Sequence, residues 1–199
     1  MDFKIYTILN RAYKYFIASF YFWVYLFRGI VVYGLIPSSC SLFSVMEDIK
    51  EDRDCDGIKK LFFEYYREYK IYRIHSLIFA FITFSIYASL FFLNKVNNKI
   101  ALIFTIVLIY LLAMILLILT YTINYLVFKK CDFKTAFISS FIFTVKNIFP
   151  SLSIVISFIM LFIIGRMNLV FLIFFLPFLY VLLVRTLLSK LTEFEEERQ

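Results

Sequence analysis

Apolar stretches, each closed by Lys, Arg or Asn, alternate along the chain with shorter segments in which apolar residues recur at helical spacing. The long stretches cover residues 15–36, 74–93, 100–128, 148–164 and 169–188. A bilayer core about 30 Å thick takes roughly 20 apolar residues as helix, with about 17–25 acceptable, so each stretch predicts a span. None shows the apolar/polar alternation of a membrane barrel strand, and only helices or closed barrels satisfy their backbone in lipid. The pattern therefore predicts an all-α, polytopic helical membrane protein with about five transmembrane helices.

Between the spans the pattern changes to one-sided helices. In 38–50, Leu42, Val45, Met46 and Ile49 share a face, with Glu47, Asp48 and Lys50 away from it. Ser38, Ser39 and Ser41 suit a helix start, and Ser44-x-x-Glu47 resembles a late capping box. Residues 51–57 form a charged turn. In 58–73, Ile58, Phe62, Tyr65, Tyr69 and Tyr72 recur at steps of four and three. Lys59, Lys60, Glu64, Arg67 and Lys70 take the other face, and this helix runs straight into the second span. In 133–146, Asp132 is a candidate N-cap, and Phe133, Phe137, Phe141 and Thr144 mark one side. Pro150 fits the first turn of the helix that follows. Two or three cytoplasmic amphipathic helices result, lying along the membrane, packing under the bundle or docking a partner. For 133–146 an alternative is one slanted span over 137–158, with Lys146 inside at a cost of about 2.5–3.5 kcal/mol.

Composition makes the bilayer necessary. Of 199 residues 63% are hydrophobic, with 27 Phe and 15 Tyr, more than a water-soluble domain of this size can bury. The first run begins behind Lys4, Arg11 and Lys14 and lacks a cleavage site, which predicts a retained span. The net charge of +7 sits at span ends facing headgroups, so no nucleic-acid partner is predicted. Lys50, Arg53, Lys59, Lys60, Arg67, Lys70 and Arg73 fall on one side with Lys129, Lys130, Lys134, Lys146, Lys190 and Arg198. The smaller set is Lys4, Arg11, Lys14, Lys95, Lys99 and Arg166. The positive-inside rule then predicts a multi-pass cell-membrane protein with the C-terminus cytoplasmic and the N-terminus outside. The acidic tail 192–199 reads as a solvated terminus.

Candidate chemistry is sparse. Cys40, Cys55 and Cys131 form no C-x-x-C pair and predict free thiols. His75 is the one histidine and borders a span, which excludes multi-histidine metal sites. No P-loop is present, and four glycines leave no dinucleotide fingerprint. Within the spans only Arg28 and Arg185 are charged. Arg185 can snorkel to the headgroups, whereas Arg28 should face the bundle interior or pair with a partner. Asn124 and Asn168 can hydrogen-bond between helices. The residues predict no catalytic, cofactor-binding or metal site and no enzyme.

One passage carries a resemblance. Gly34-x-x-Pro37, followed by Ser38, Ser39, Cys40, Ser41, Leu42 and Phe43, resembles the turn that ends the first span in the YesL-like family. These are small membrane proteins of Gram-positive bacteria with a domain of unknown function. The charged turn Arg53, Asp54, Cys55, Asp56, Gly57 and the aromatic run 61–69 are similar to the family's next two motifs. The Ser-rich 38–41 departs from its more alanine-rich turn. The resemblance implies an auxiliary role in uptake, since such proteins are encoded beside oligosaccharide ABC importers and polysaccharide-degrading enzymes.

Three functions stay open. One is a non-catalytic auxiliary component of a carbohydrate ABC uptake system, contacting importer subunits. Another is a small channel or solute transporter. The third is a structural, regulatory or immunity-type partner of another membrane protein. The residues singled out are Arg28, Pro37, Lys59, Lys60, Phe62, Tyr65, Arg67 and Tyr69, the aromatic ones as anchors of an interface or of the bundle.

Overall fold

The computed structural model describes residues 2–53, 57–95 and 98–196, the side chains of 2–5, 8 and 189–196 excepted. Residues 54–56 of the charged turn, including Cys55, and the acidic side chains of the tail lie outside the described residues. Among the described residues every regular element is helical: α1 Asp2–Arg28, α2 Leu35–Lys50, α3 Ile58–Glu68, α4 Arg73–Leu93 and α5 Lys99–Asn124 come first. α6 Phe133–Lys146, α7 Ile148–Met167, α8 Leu169–Phe174 and α9 Leu176–Glu196 follow. A 3₁₀ turn, Tyr69–Tyr72, joins α3 to α4, and a π-helical turn, Tyr125–Lys129, ends α5.

Among the described residues three helices are long and apolar enough to cross a membrane: Ile58–Leu93, Lys99–Lys129 and Ile148–Met167. The protein is an all-α helical membrane protein. The other two expected spans take a different form. The run 169–188 divides at Phe175 into α8 and α9, where Leu176–Leu188 is a shorter apolar helix. The run 15–36 is broken after Arg28, so the apolar part of α1 beyond Lys14 is too short to cross a bilayer.

The break is a tight hairpin. Ile30 and Val31 hold left-handed φ values of 53° and 56°, strained for β-branched residues. Gly29 and Gly34 bring the two strands of the turn together. A Cβ on Gly29 would lie 2.4 Å from the Gly34 Cα, so only glycine permits the approach. α2 then returns along α1. At the far end Arg11 of α1 donates to Asp52, just past α2, at 2.6 Å. The first half of α1 and the turn after α2 therefore share one end of the bundle, here called the base. This differs from the expected topology, which put the N-terminal segment and that loop on opposite sides of the bilayer; a hydrogen-bonded pair cannot be so divided.

α2 is enclosed on more sides than the one-sided pattern over 38–50 predicts. It is the most enclosed element, buried from Ile36 to Ile49 with Ser39 and Glu47 as the partial exceptions. Its serines are compatible with burial because they bond within the helix: Ser38 donates to the Gly34 carbonyl and Ser41 to that of Pro37 at 2.7 Å. Small hydroxylated positions let neighbours approach closely, as in membrane helix packing. α1, α3, α4, α5 and α9 all pack on α2.

α3 and α4 continue one another, as the pattern over 58–73 predicts. Ser76 pins the junction to the hairpin, donating to the Val32 carbonyl at 2.6 Å and accepting from the Ile36 N–H at 3.2 Å. α6 and α7 are separate helices parted at Asn147, in place of a slanted span over 137–158. Asp132 stands at the N-cap of α6 without a side-chain capping bond.

Candidate functional site

The residues singled out by sequence gather on α3 and the parts of α1 and α2 that face it. The inner face of α3 is fixed by aromatic packing. Phe62 is fully buried, its ring 5.2 Å from that of Tyr25 and 6.3 Å from that of Tyr21. Tyr65 donates to Asp48 Oδ2 at 2.6 Å, and the Tyr69 hydroxyl lies 3.3 Å from Ser44 Oγ. These side chains anchor α3 to the bundle and are not free to grip a partner. Pro37 is buried in the first turn of α2.

The outer face carries the cations. Lys59 and Lys60 in the first turn of α3 are exposed, as is Arg67. Arg28 is exposed at the end of α1, its guanidinium 5.9 Å from the Tyr25 ring centre. Of the two placements expected, the bundle interior or a partner's surface, the first is not taken: the helix stops there, so Arg28 sits at a helix end and not midway through a span. Arg28, Lys59 and Lys60 converge on one open cleft of about 720 Å³, floored by Ile17, Tyr21 and Tyr25. Arg67 stands apart, beside Glu64 and Glu68 on the open side of α3.

A polar array at the base was not foreseen. Glu47 and Asp48 were expected to face away from the buried side of α2. Asp48 instead accepts from Tyr65 and pairs with Arg53 at 3.2 Å, and Arg53 also meets Glu51 at 2.8 Å. Glu47 is clasped by both arms of Arg185 from α9, with Nε 3.0 Å from Oε2. The Arg185 guanidinium also covers the Phe128 ring at 3.7 Å. It turns inward to α2 and does not snorkel outward as expected. The signal available was an acid pair in the last turns of a helix with no other charge before Lys50; its partner, 138 positions away, left no local trace.

Little of this is reactive. Burial pushes the Cys40 thiol well above its ordinary range, which keeps it protonated. His75 packs against Phe133, ring centres 3.8 Å apart. Among the described residues no group of three His, Cys, Asp or Glu could hold a metal. The arrangement can present positive charge and apolar surface, and it can transmit position from α4 into α3.

The class is thus a helical membrane protein with a membrane hairpin built on a tightly tied base. Over residues 15–90 the chain matches the model of a family described as "Protein of unknown function, DUF624". That match spans the second half of α1, the hairpin, α2, α3 and most of α4, the same part that contains the cleft. No curated protein and no solved structure matches the chain.

Proposed function

We propose that this protein is a non-catalytic auxiliary component of a carbohydrate ABC uptake system that docks an importer subunit on the outer face of α3. The observation that carries the docking reading is the division of α3. One face is held by Phe62, Tyr65 and Tyr69, while Lys59, Lys60, Phe63 and Arg67 remain exposed on the other. A rigidly seated helix presenting cations and an aromatic ring suits an acidic, partly apolar partner segment. The importer as partner class rests on the resemblance to YesL-like proteins.

The base is cytoplasmic in this reading. Arg11, Lys14, Lys50, Arg53, Lys59 and Lys60 cluster there, against Lys95 and Lys99 at the tip of the α4–α5 hairpin, as the positive-inside rule favours. Both termini then face the cytoplasm. Protease digestion of an N-terminal tag should require permeabilised cells; digestion in intact cells would reverse the orientation.

Co-purification with importer subunits from membranes tests the docking. Lys59→Glu with Lys60→Glu should lower recovery about tenfold, since like charges now meet across the contact. Recovery unchanged in that variant and in Arg67→Glu would remove α3 as the docking surface.

A further inference from the structure

A second cavity lies inside the bundle, away from the cationic cleft. It occupies about 370 Å³ between α1, α2, α5, α7, α8 and α9. Its wall is apolar almost throughout, with Leu42, Leu119, Phe162 and Leu172 as representative sides. Three of its four polar side chains are already engaged. The Tyr180 hydroxyl lies 2.6 Å from Thr120 Oγ1, which donates to the Leu116 carbonyl at 2.9 Å. Trp23 Nε1 donates to the Ile173 carbonyl at 3.0 Å. Ser39 contributes the one other hydroxyl, and no charged residue lines the space.

Such a chamber excludes sugars and ions, which would lose their hydration without replacement. Water needs two to four polar partners in a cavity, and this wall does not offer them. Its volume falls in the roughly 300–1,000 Å³ range of ligand sites. Among the lining residues Phe162 alone is mainly exposed, at 54%, beside Ile159 and Ile163 on α7. Those residues belong to a helix apolar enough to cross the membrane, so the mouth opens toward lipid.

We propose that this chamber is a lipid site that holds one acyl chain of a bilayer phospholipid, admitted past Phe162. The site is independent of the α3 docking surface. The bound chain packs on Trp23, Leu42 and Leu119 and couples the hairpin α1–α2 to α7.

Trp23 is the sole tryptophan and stands on the chamber wall, which supplies the test. The full chain is placed in nanodiscs of phosphatidylcholine with brominated acyl chains, and Trp23 fluorescence is compared with that in unbrominated lipid. Bromines in the chamber should quench it. Ser39→Phe and Leu119→Phe fill the chamber from two walls, and each should weaken retention about tenfold, the loss of roughly two buried methylenes. Ile106→Phe, on the exposed face of α5, should leave quenching unchanged. Equal quenching in both filling variants would mean that the bromines act from bulk lipid, and the proposal would be wrong. Native mass spectrometry of the wild type checks it without a substitution. One retained phospholipid is expected; a bare protein, or one carrying only detergent or free fatty acid, would overturn the assignment.

Discussion

The base of the bundle and the outer half of the α4–α5 hairpin obey different rules. At the base, α2 is enclosed by five helices and its acids are matched by Arg185, Tyr65 and Arg53. In the outer hairpin, Phe81, Phe84, Tyr87, Ile103, Ile106 and Tyr110 all point outward with more than half their surface exposed. Their hydroxylated neighbours turn back on their own helices, as Ser85 does to Phe81 and Thr105 to Ala101. Protein surrounds the first region and lipid is required around the second. A large apolar surface in water would mark an interface, but here it marks the solvent. Tertiary stability should therefore be concentrated at the base.

Truncation of an aromatic ring is the strongest way to break that contrast. Phe62→Ala at the base should cost about 3–5 kcal/mol, whereas Phe84→Ala in the outer hairpin should stay within about 0.5 kcal/mol. Unfolding titrations with a denaturing detergent would read both, and equal losses would erase the distinction. Next comes the ion pair. Arg185→Met leaves Glu47 without its guanidinium partner and should cost about 3 kcal/mol, most of which Glu47→Leu in the same chain restores. Failure of the double variant to recover would show that Arg185 acts through Phe128 alone. Gly29→Ala forces the hairpin strands apart and should cost about 1–3 kcal/mol in the same titration.

The smallest effect is kinetic and separates the two described thiols. Cys40 is fully buried and Cys131 only partly so. Because burial raises the Cys40 pKa, raising the pH to about 9 should not produce its thiolate, although an ordinary thiol near 8.5 would be ionised. Mass mapping after alkylation should find Cys40 unmodified until the protein unfolds; early modification would show that α2 opens.

What could be read in advance follows from the same contrast. The one-sided pattern of α3 separates Phe62 and Tyr69, which are buried, from Lys59, Lys60 and Arg67, which are exposed. α4, α5 and α7 were legible as apolar runs of span length. Illegible were the break after Arg28 and the burial of α2. An apolar run reveals nothing about whether lipid or protein will cover it. Serine, which reads as solvent-facing, is at home in α2 because its hydroxyl bonds to the preceding turn. The hairpin depends on Gly29 and Gly34 meeting across a turn, and the Glu47 clasp on two helices at opposite ends of the chain.

That clasp has a consequence for synthesis. Arg185 follows Glu47 by 138 positions. At about 5–20 residues per second the ribosome takes roughly 7–28 s to supply it. During that interval the α1–α2 hairpin emerges whole, with Arg11 and Asp52 both available, while the Glu47 carboxylate lacks the guanidinium that will neutralise it. A helix made late is therefore the latch on a structure formed early. A chain truncated before α9 would carry an unlatched acid at its centre, a state that membrane quality control could distinguish from the finished protein.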